Sequence, residues 1–297
     1  MNDEQKGILF TILTSISLAL NLIFGKFVVN SISVELGNTL WFMFASILYI
    51  ILFVFARKGK YFRVILEKKK EMIVIGFLSF IGSMFWMYGI LYAGTNNMAF
   101  VFEFNVVFTV LLGVIFLKDR FRKIEVIGVL IAIFGIFILA YDNIEISILS
   151  IVIILISALF NALSNLVSKI FVKKISPVTL AGGRAIFIFL LSLGYALVTN
   201  RIQTNIPSMV FLYAFLGGVT GAFVGFSLFY KSLEKIKISK VMTIRTIEPF
   251  LVVALSFFIF SMIPTQNQLI GGSLIVIGVI ILILYKRNKN FEKEKLL

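Results

Sequence analysis

Val126-Ile-Gly128-Val-Leu-Ile-Ala-Ile-Phe-Gly135-Ile-Phe-Ile-Leu-Ala140 has a counterpart later in the chain, Leu269-Ile-Gly271-Gly-Ser-Leu-Ile-Val-Ile-Gly278-Val-Ile-Ile-Leu-Ile283, at an offset of 143. Both stretches are apolar on every face, so neither carries the single stripe of a helix on a soluble core. Their glycines hold the same places. Outward at the same offset, Gly82 falls on Gly225, Phe80 on Phe223, Lys26 on Lys169 and Ser33 on Ser176. Polar positions correspond as well: Thr14 with Ser157, Asn21 with Ser164, Asn105 with Glu248. One constant offset joins the ends of each half without a gap. The chain therefore reads as an internal duplication, 1–143 and 144–297.

The composition agrees. Of 297 residues, 60% are hydrophobic and 14% charged, where a soluble domain carries about a quarter charged. Apolar runs of about 20 residues read as transmembrane helices. Ten are expected, near 7–29, 37–56, 72–93, 98–117, 124–141, 147–171, 178–199, 207–230, 241–260 and 267–285. The fold class is an all-α membrane protein. The first run exceeds a signal-peptide core and lacks a small-residue cleavage site, so it is expected to be retained. The links are too short for a soluble domain. The chain has no Cys and no His, which excludes disulfides, thiolate nucleophiles, Cys/His zinc sites, haem axial His and Ser-His-Asp triads. Only an all-carboxylate metal site stays formally open. No G-x-x-x-x-G-K-[ST] loop is present for an ATP-driven pump, and no acidic D-x-x-D cluster for a metal-dependent lipid enzyme. Neither catalytic residues nor a cofactor are expected.

Charge sets the orientation. Of the 28 Lys and Arg, 24 fall at the termini and in one set of alternate links, among them Lys6, Arg57 to Lys70, Lys118 to Lys123, Lys231 to Lys240 and the tail. The opposite links hold Arg201 alone, with Glu35, Asp142 and Glu145. By the positive-inside rule both termini are cytoplasmic, in the inner or plasma membrane. The net charge of +14 then reads as topology and contact with anionic lipid, not as a nucleic-acid footprint.

Five spans per half is an odd number, so the halves enter the membrane from opposite sides. Inverted repeats are a common construction of secondary transporters, in which two similar units exchange conformations around a central site. An inverted-repeat channel is the alternative, without the short re-entrant pair that channels often carry. The span count, the short links, Asn105 to Gly113, Leu117-Lys-Asp119-Arg120, Glu248-Pro249 and the glycines Gly128, Gly135, Gly271, Gly272 and Gly278 resemble the drug/metabolite transporter superfamily, specifically its EamA-type members. That resemblance covers nearly the whole chain. It implies transport of a small metabolite, often export, driven by a gradient or by exchange.

Ionisable side chains inside spans are costly, about 2.5–3.5 kcal/mol each at a helix centre, so they are expected to face the interior, pair or reach the interface. Five qualify: Lys26, Glu103, Arg184, Arg245 and Glu248. Arg245 and Glu248 share a face at i, i+3, either as an internal ion pair or as a charged cavity wall with Glu248 accepting a proton or cation. Pro249 beside them favours a kink. Arg184, preceded by Gly182 and Gly183, either binds a substrate carboxylate or pairs with Glu248; its counterpart in the first half is Trp41. Glu103 and Asn105 lie about 200° apart on a helical wheel. Asn105, sharing a face with Thr109 and Gly113, is the one expected at the cavity. Glu103 is a possible charge pair with Lys26, unless Lys26 snorkels to the interface.

Two polar stripes, Thr14/Ser17/Asn21/Gly25 and Ser157/Asn161/Ser164/Ser168, serve helix packing or cavity lining. Gly217, Gly221 and Gly225 read as close packing. Trp86, on a face with Ser79, Ser83 and Ile90, is placed to stack on a substrate. Most Phe are expected to face lipid. The candidate substrate-binding residues are Asn21, Trp86, Asn105, Ser164, Arg184, Arg245 and Glu248.

The expected function is secondary transport, in the export direction, of a small polar or amphipathic metabolite such as an amino acid. Alternatives are uptake or exchange of a nucleotide-like or vitamin-like solute and, less favoured, a lipid-modifying enzyme. Expected partners are the solute, membrane lipids and H+ or another coupling ion, with monomer and homodimer both open.

Overall fold

A computed structural model describes residues 2–55, 60–117, 123–140, 147–172 and 174–295. Lys118, Asp119, Arg120, Arg122, Asp142, Glu145, Arg57, Lys58 and Lys173 lie outside these. Every regular element among the described residues is helical. The order is α1 (Asp3–Val29), α2 (Val34–Phe55), α3 (Lys60–Glu67), α4 (Lys69–Phe102), α5 (Phe104–Leu117), α6 (Lys123–Ala140), α7 (Ile148–Phe171), α8 (Pro177–Val198), α9 (Ser208–Gly217), a π-helical turn (Gly218–Gly225), α10 (Phe226–Lys235), α11 (Ile238–Arg245), α12 (Glu248–Phe260) and α13 (Gln266–Lys295).

Seven of the helical stretches are long and apolar enough to cross a membrane: Asp3–Val29, Val34–Phe55, Lys69–Phe102, Ile148–Phe171, Pro177–Val198, Ser208–Lys235 and Lys240–Phe260. Three shorter apolar helices accompany them, Phe104–Gly113, Val126–Ala140 and Gln266–Ile281. The exterior is correspondingly greasy, with Phe55, Val198 and Phe258 each about 80% exposed, the inverse of a soluble surface. The phenylalanines divide: Phe53, Phe100 and Phe229 are core, Phe134, Phe137 and Phe258 exterior.

The helix ends follow local chemistry. Asn2 and Gln5 form a reciprocal capping box on α1, with Gln5 N–H donating to Asn2 Oδ1 at 2.8 Å and Asn2 N–H to Gln5 Oε1 at 3.0 Å. Ser176 caps α8, whose first residue is Pro177, where a missing N–H costs nothing. Inside α4, Gly94 takes φ +73°, ψ 172° and breaks the helix. That backbone conformation is essentially reserved for glycine. The expected fourth span is itself discontinuous, since α4 ends at Phe102 and α5 starts at Phe104 around Glu103. The expected ninth is broken as well, with α11 ending at Arg245 and α12 starting at Glu248. Glu103 and Thr246, one in each break, are equivalent positions of the two halves.

Packing joins one half to the other. α6 lies on α13, α2 on α8, α4 on α7, and α1 on α9, the π turn and α10. Exchanging the halves maps this pattern onto itself: α5 meets α7 as α12 meets α1. On the α6–α13 seam, Gly135 abuts Gly271 so closely that a Cβ at Gly135 would sit 2.6 Å from the Gly271 carbonyl oxygen, and Gly278 abuts Gly128. The pairing 135 with 271 and 128 with 278 means the two helices run antiparallel. Between helices in lipid, close backbone approach of this kind replaces the hydrophobic drive of a soluble core. At one end of the molecule, Lys235 Nζ meets Asp3 Oδ1 at 2.6 Å, Lys240 pairs with Glu4, and Ile236 seats on Gly7.

Candidate functional site

A cavity lies between the halves, its atom-free space about 690 Å³ with the open solvent at its mouth included. Its walls include Asn21, Trp86, Asn105, Arg184, Arg245 and Glu248. Ser164 is not among its lining residues. It sits behind the wall, its hydroxyl 2.6 Å from that of Ser79, where a serine can hydrogen-bond without meeting solvent.

The chemistry of the walls is uneven. Arg245 and Glu248 are 2.9 Å apart and mutually bonded, since the turn between α11 and α12 keeps them on one side. Arg184, 3% exposed, does not join them. Its Nε donates to Ser79 Oγ at 2.8 Å and its guanidinium carbon lies 3.6 Å from the centroid of the Phe226 ring, a close cation–π contact. Ser164 thus belongs to a chain, Ser164–Ser79–Arg184, that orients the cation. No carboxylate among the described residues lies within ion-pair distance of Arg184.

Sequence reasoning missed Asn38, Trp41, Asn165 and Phe226, all of which line the cavity. Trp41 is the first-half equivalent of Arg184, so the repeat carried a signal for it. It meets Trp86 edge to face, ring centroids 6.4 Å apart, and rests on Gly217. Asn21 rests on Gly221, so these glycines admit wall residues rather than a bare helix. Asn105 donates from Nδ2 to the Ala158 carbonyl at 2.9 Å. The Oδ1 atoms of Asn21 and Asn38 have no hydrogen-bond partner among the described residues. The π turn reaches the wall through Gly221 and Ala222. Its loosened carbonyls are taken by side chains: Ser17 donates to Thr220 at 2.5 Å, and Tyr49 lies 3.1 Å from the Ala222 oxygen and 2.9 Å from that of Phe223. Such turns recur at functional sites in helices.

Lys26 and Glu103 form no ion pair with each other. The Lys26 ammonium lies 6.0 Å from the Phe260 ring centroid. Glu103 is buried, outside the cavity lining, with Oε2 unpartnered among the described residues; the charges that act on it are Glu248 and Arg245 of the other half, not Lys26. The alternative of an Arg184–Glu248 pair is also unmet, because Arg245 occupies the Glu248 carboxylate.

Five pairs of lining residues stand at the repeat offset: Leu18 and Asn161, Trp41 and Arg184, Ser83 and Phe226, Phe102 and Arg245, Asn105 and Glu248. Equivalent positions of both halves therefore face one space, and all its charge comes from the second half.

Comparisons with known proteins agree with this internal duplication. The EamA-like transporter family matches residues 5–141 and again 148–284, starting points with the same offset. An uncharacterized transporter of Archaeoglobus fulgidus is 28% identical over 71% of this chain and 68% of its own length. An S-adenosylmethionine uptake transporter of Rickettsia conorii is 24% identical over 99% of both chains. One solved crystal structure shares the fold, with a TM-score of 0.69 at 17% identity over 96% of this chain and 98% of the other. The family and relatives are transporters rather than enzymes, and the apolar helices fit an integral membrane protein. The chain belongs to the EamA-like transporter family, within the drug/metabolite transporter superfamily.

Proposed function

We propose that the chain is a secondary transporter that carries a small polar or amphipathic metabolite, amino acids included, through the central cavity by alternating access. Ten spans form two inverted five-helix halves, with both termini cytoplasmic in the cell membrane. The observation that carries this reading is the set of five lining pairs at equivalent positions of the two halves. A site built from equivalent positions of two units is what exchange of their conformations requires. The antiparallel α6–α13 seam and the half-for-half packing support inversion, and the basic links support the orientation. Export is the direction the family resemblance implies. The Arg245–Glu248 pair is the proposed seat of a coupling ion, with H+ exchanging at Glu248.

Purified protein in liposomes tests this. The expected result is saturable counterflow of at least one small metabolite, accelerated by the same unlabelled solute on the far side and dependent on an imposed pH gradient. Leakage at a rate linear in concentration and insensitive to the far side points to a channel and overturns alternating access. The pH arm stands apart: flux that ignores the gradient removes H+ coupling alone.

A further inference from the structure

Resting on the transport reading, we infer that the cavity selects a solute of net charge −1, whose oxyanion head docks on Arg184 and whose apolar body lies against the tryptophan pair. The second half supplies three ionised side chains to the wall: Arg184, Arg245 and Glu248. Arg245 and Glu248 satisfy each other at 2.9 Å, which leaves one cation uncompensated. Arg184 is that cation. The titratable groups that act on it are Tyr230 and Tyr49, both hydroxyls rather than acids.

The guanidinium is held from two sides. Ser79, itself bonded to Ser164, fixes Nε, and the Phe226 ring covers one face. The terminal nitrogens make no hydrogen bond among the described residues. A guanidinium presents its donors as a rigid fork matched to a carboxylate or phosphate edge. An unpaired cation at membrane depth is costly and marks a ligand path, and an incoming oxyanion removes that cost. Of the rest of the lining, Phe42, Trp41, Trp86 and Phe102 are aromatic, while Asn21 and Asn38 carry amide oxygens without partners among the described residues. These suit a ring or chain bearing hydroxyl or N–H donors.

A zwitterion leaves the wall one positive charge in excess. A cation adds a second, and the sulfonium, ammonium and carboxylate of S-adenosylmethionine sum to one. The wall therefore disfavours the solute named for the Rickettsia conorii relative.

The two tryptophans of the chain, Trp41 and Trp86, both line this cavity, so intrinsic fluorescence reads the site without any transport step. The probes share a phenyl ring and differ in head: phenylacetate, phenyl phosphate held below its second pKa of about 6 so that it carries one charge, phenylacetamide, phenylalanine and 2-phenylethylamine. The expected result is a saturable response to one or both oxyanions at concentrations about tenfold or more below those for the other three. Arg184→Gln abolishes that preference and Arg184→Lys keeps part of it. The phenylacetate and phenyl phosphate arms tell a carboxylate from a phosphate ligand. An equal response to phenylacetamide or phenylalanine, no saturable response to either oxyanion, or an unchanged preference in Arg184→Gln overturns the inference. Should the variants not fold, the wild-type series decides alone. Oxyanion-selective binding without liposome flux overturns the transport reading and leaves this one standing. Flux of phenylalanine that ignores Arg184 does the reverse.

Discussion

At the scale of single residues, an apolar protein makes its few charges conspicuous. Arg245 and Glu248 are both more than four-fifths buried and bonded to each other. Removing one partner of a buried pair strands the other, at about 3–5 kcal/mol. Glu248→Gln is therefore expected to lower the free energy of unfolding in detergent by an amount near the low end of that range, since the cavity admits some water. Replacing both, Arg245→Met with Glu248→Leu, is expected to recover most of the loss. If Glu248→Gln unfolds like wild type, the pair is not a structural one. The cost of burial also explains what the sequence disclosed. Arg184, Arg245, Glu248, Asn105 and Asn21 are expensive in lipid, so a place on an interior wall was legible from residue type alone. Ser164 was not, because a serine hydroxyl is satisfied inside a helix seam as readily as in a cavity. The Lys26–Glu103 expectation failed for a different reason: it rested on similar depth along two spans, and the fourth span breaks at Glu103, between Phe102 and Phe104.

That break belongs to the scale of elements. At Glu103 no Gly or Pro announces the discontinuity, whereas Pro249, in the first turn of α12, marks the one at Thr246. Beyond the breaks, α5 packs on α7 and α12 on α1. The π turn was hidden, since its glycines read as packing residues and its carbonyl partners, Ser17 and Tyr49, come from distant spans. Gly94 is legible, a glycine between two apolar runs. Its conformation, φ +73° and ψ 172°, penalises any side chain by about 1–3 kcal/mol. A Cβ there would meet only the tip of Lys26, 3.9 Å away, so the cost of Gly94→Ala is backbone strain and not crowding. The expected outcome is destabilisation of that size in reversible unfolding, not relieved by shortening the neighbour in a Lys26→Ala background. Relief in the double variant would mean that crowding sets the cost.

The whole molecule repeats these contacts at its two ends, with different chemistry. Ile236 seats on Gly7 between the Asp3–Lys235 and Glu4–Lys240 ion pairs. The equivalent positions in the other half bring Ser150 to the Tyr92 carbonyl, a 3.3 Å hydrogen bond with no ion pair among the described residues. If the halves exchange conformations, the two contacts close alternately, and the charged one is the more sensitive to salt. The chain contains no cysteine, so Ile236→Cys and Ala93→Cys, an equivalent pair, each introduce a single label site. In about 1 M salt, where the Debye length falls to about 3 Å, the exposed ion pairs weaken and thiol labelling at position 236 is expected to rise while that at 93 falls. A saturating bound solute is expected to move the two rates in opposite senses again. Reciprocity is the informative feature, because local fraying at one end has no reason to protect the other. Rates that rise together under either perturbation would mean that the ends breathe independently, and that the resemblance between the halves is architectural without being a mechanism.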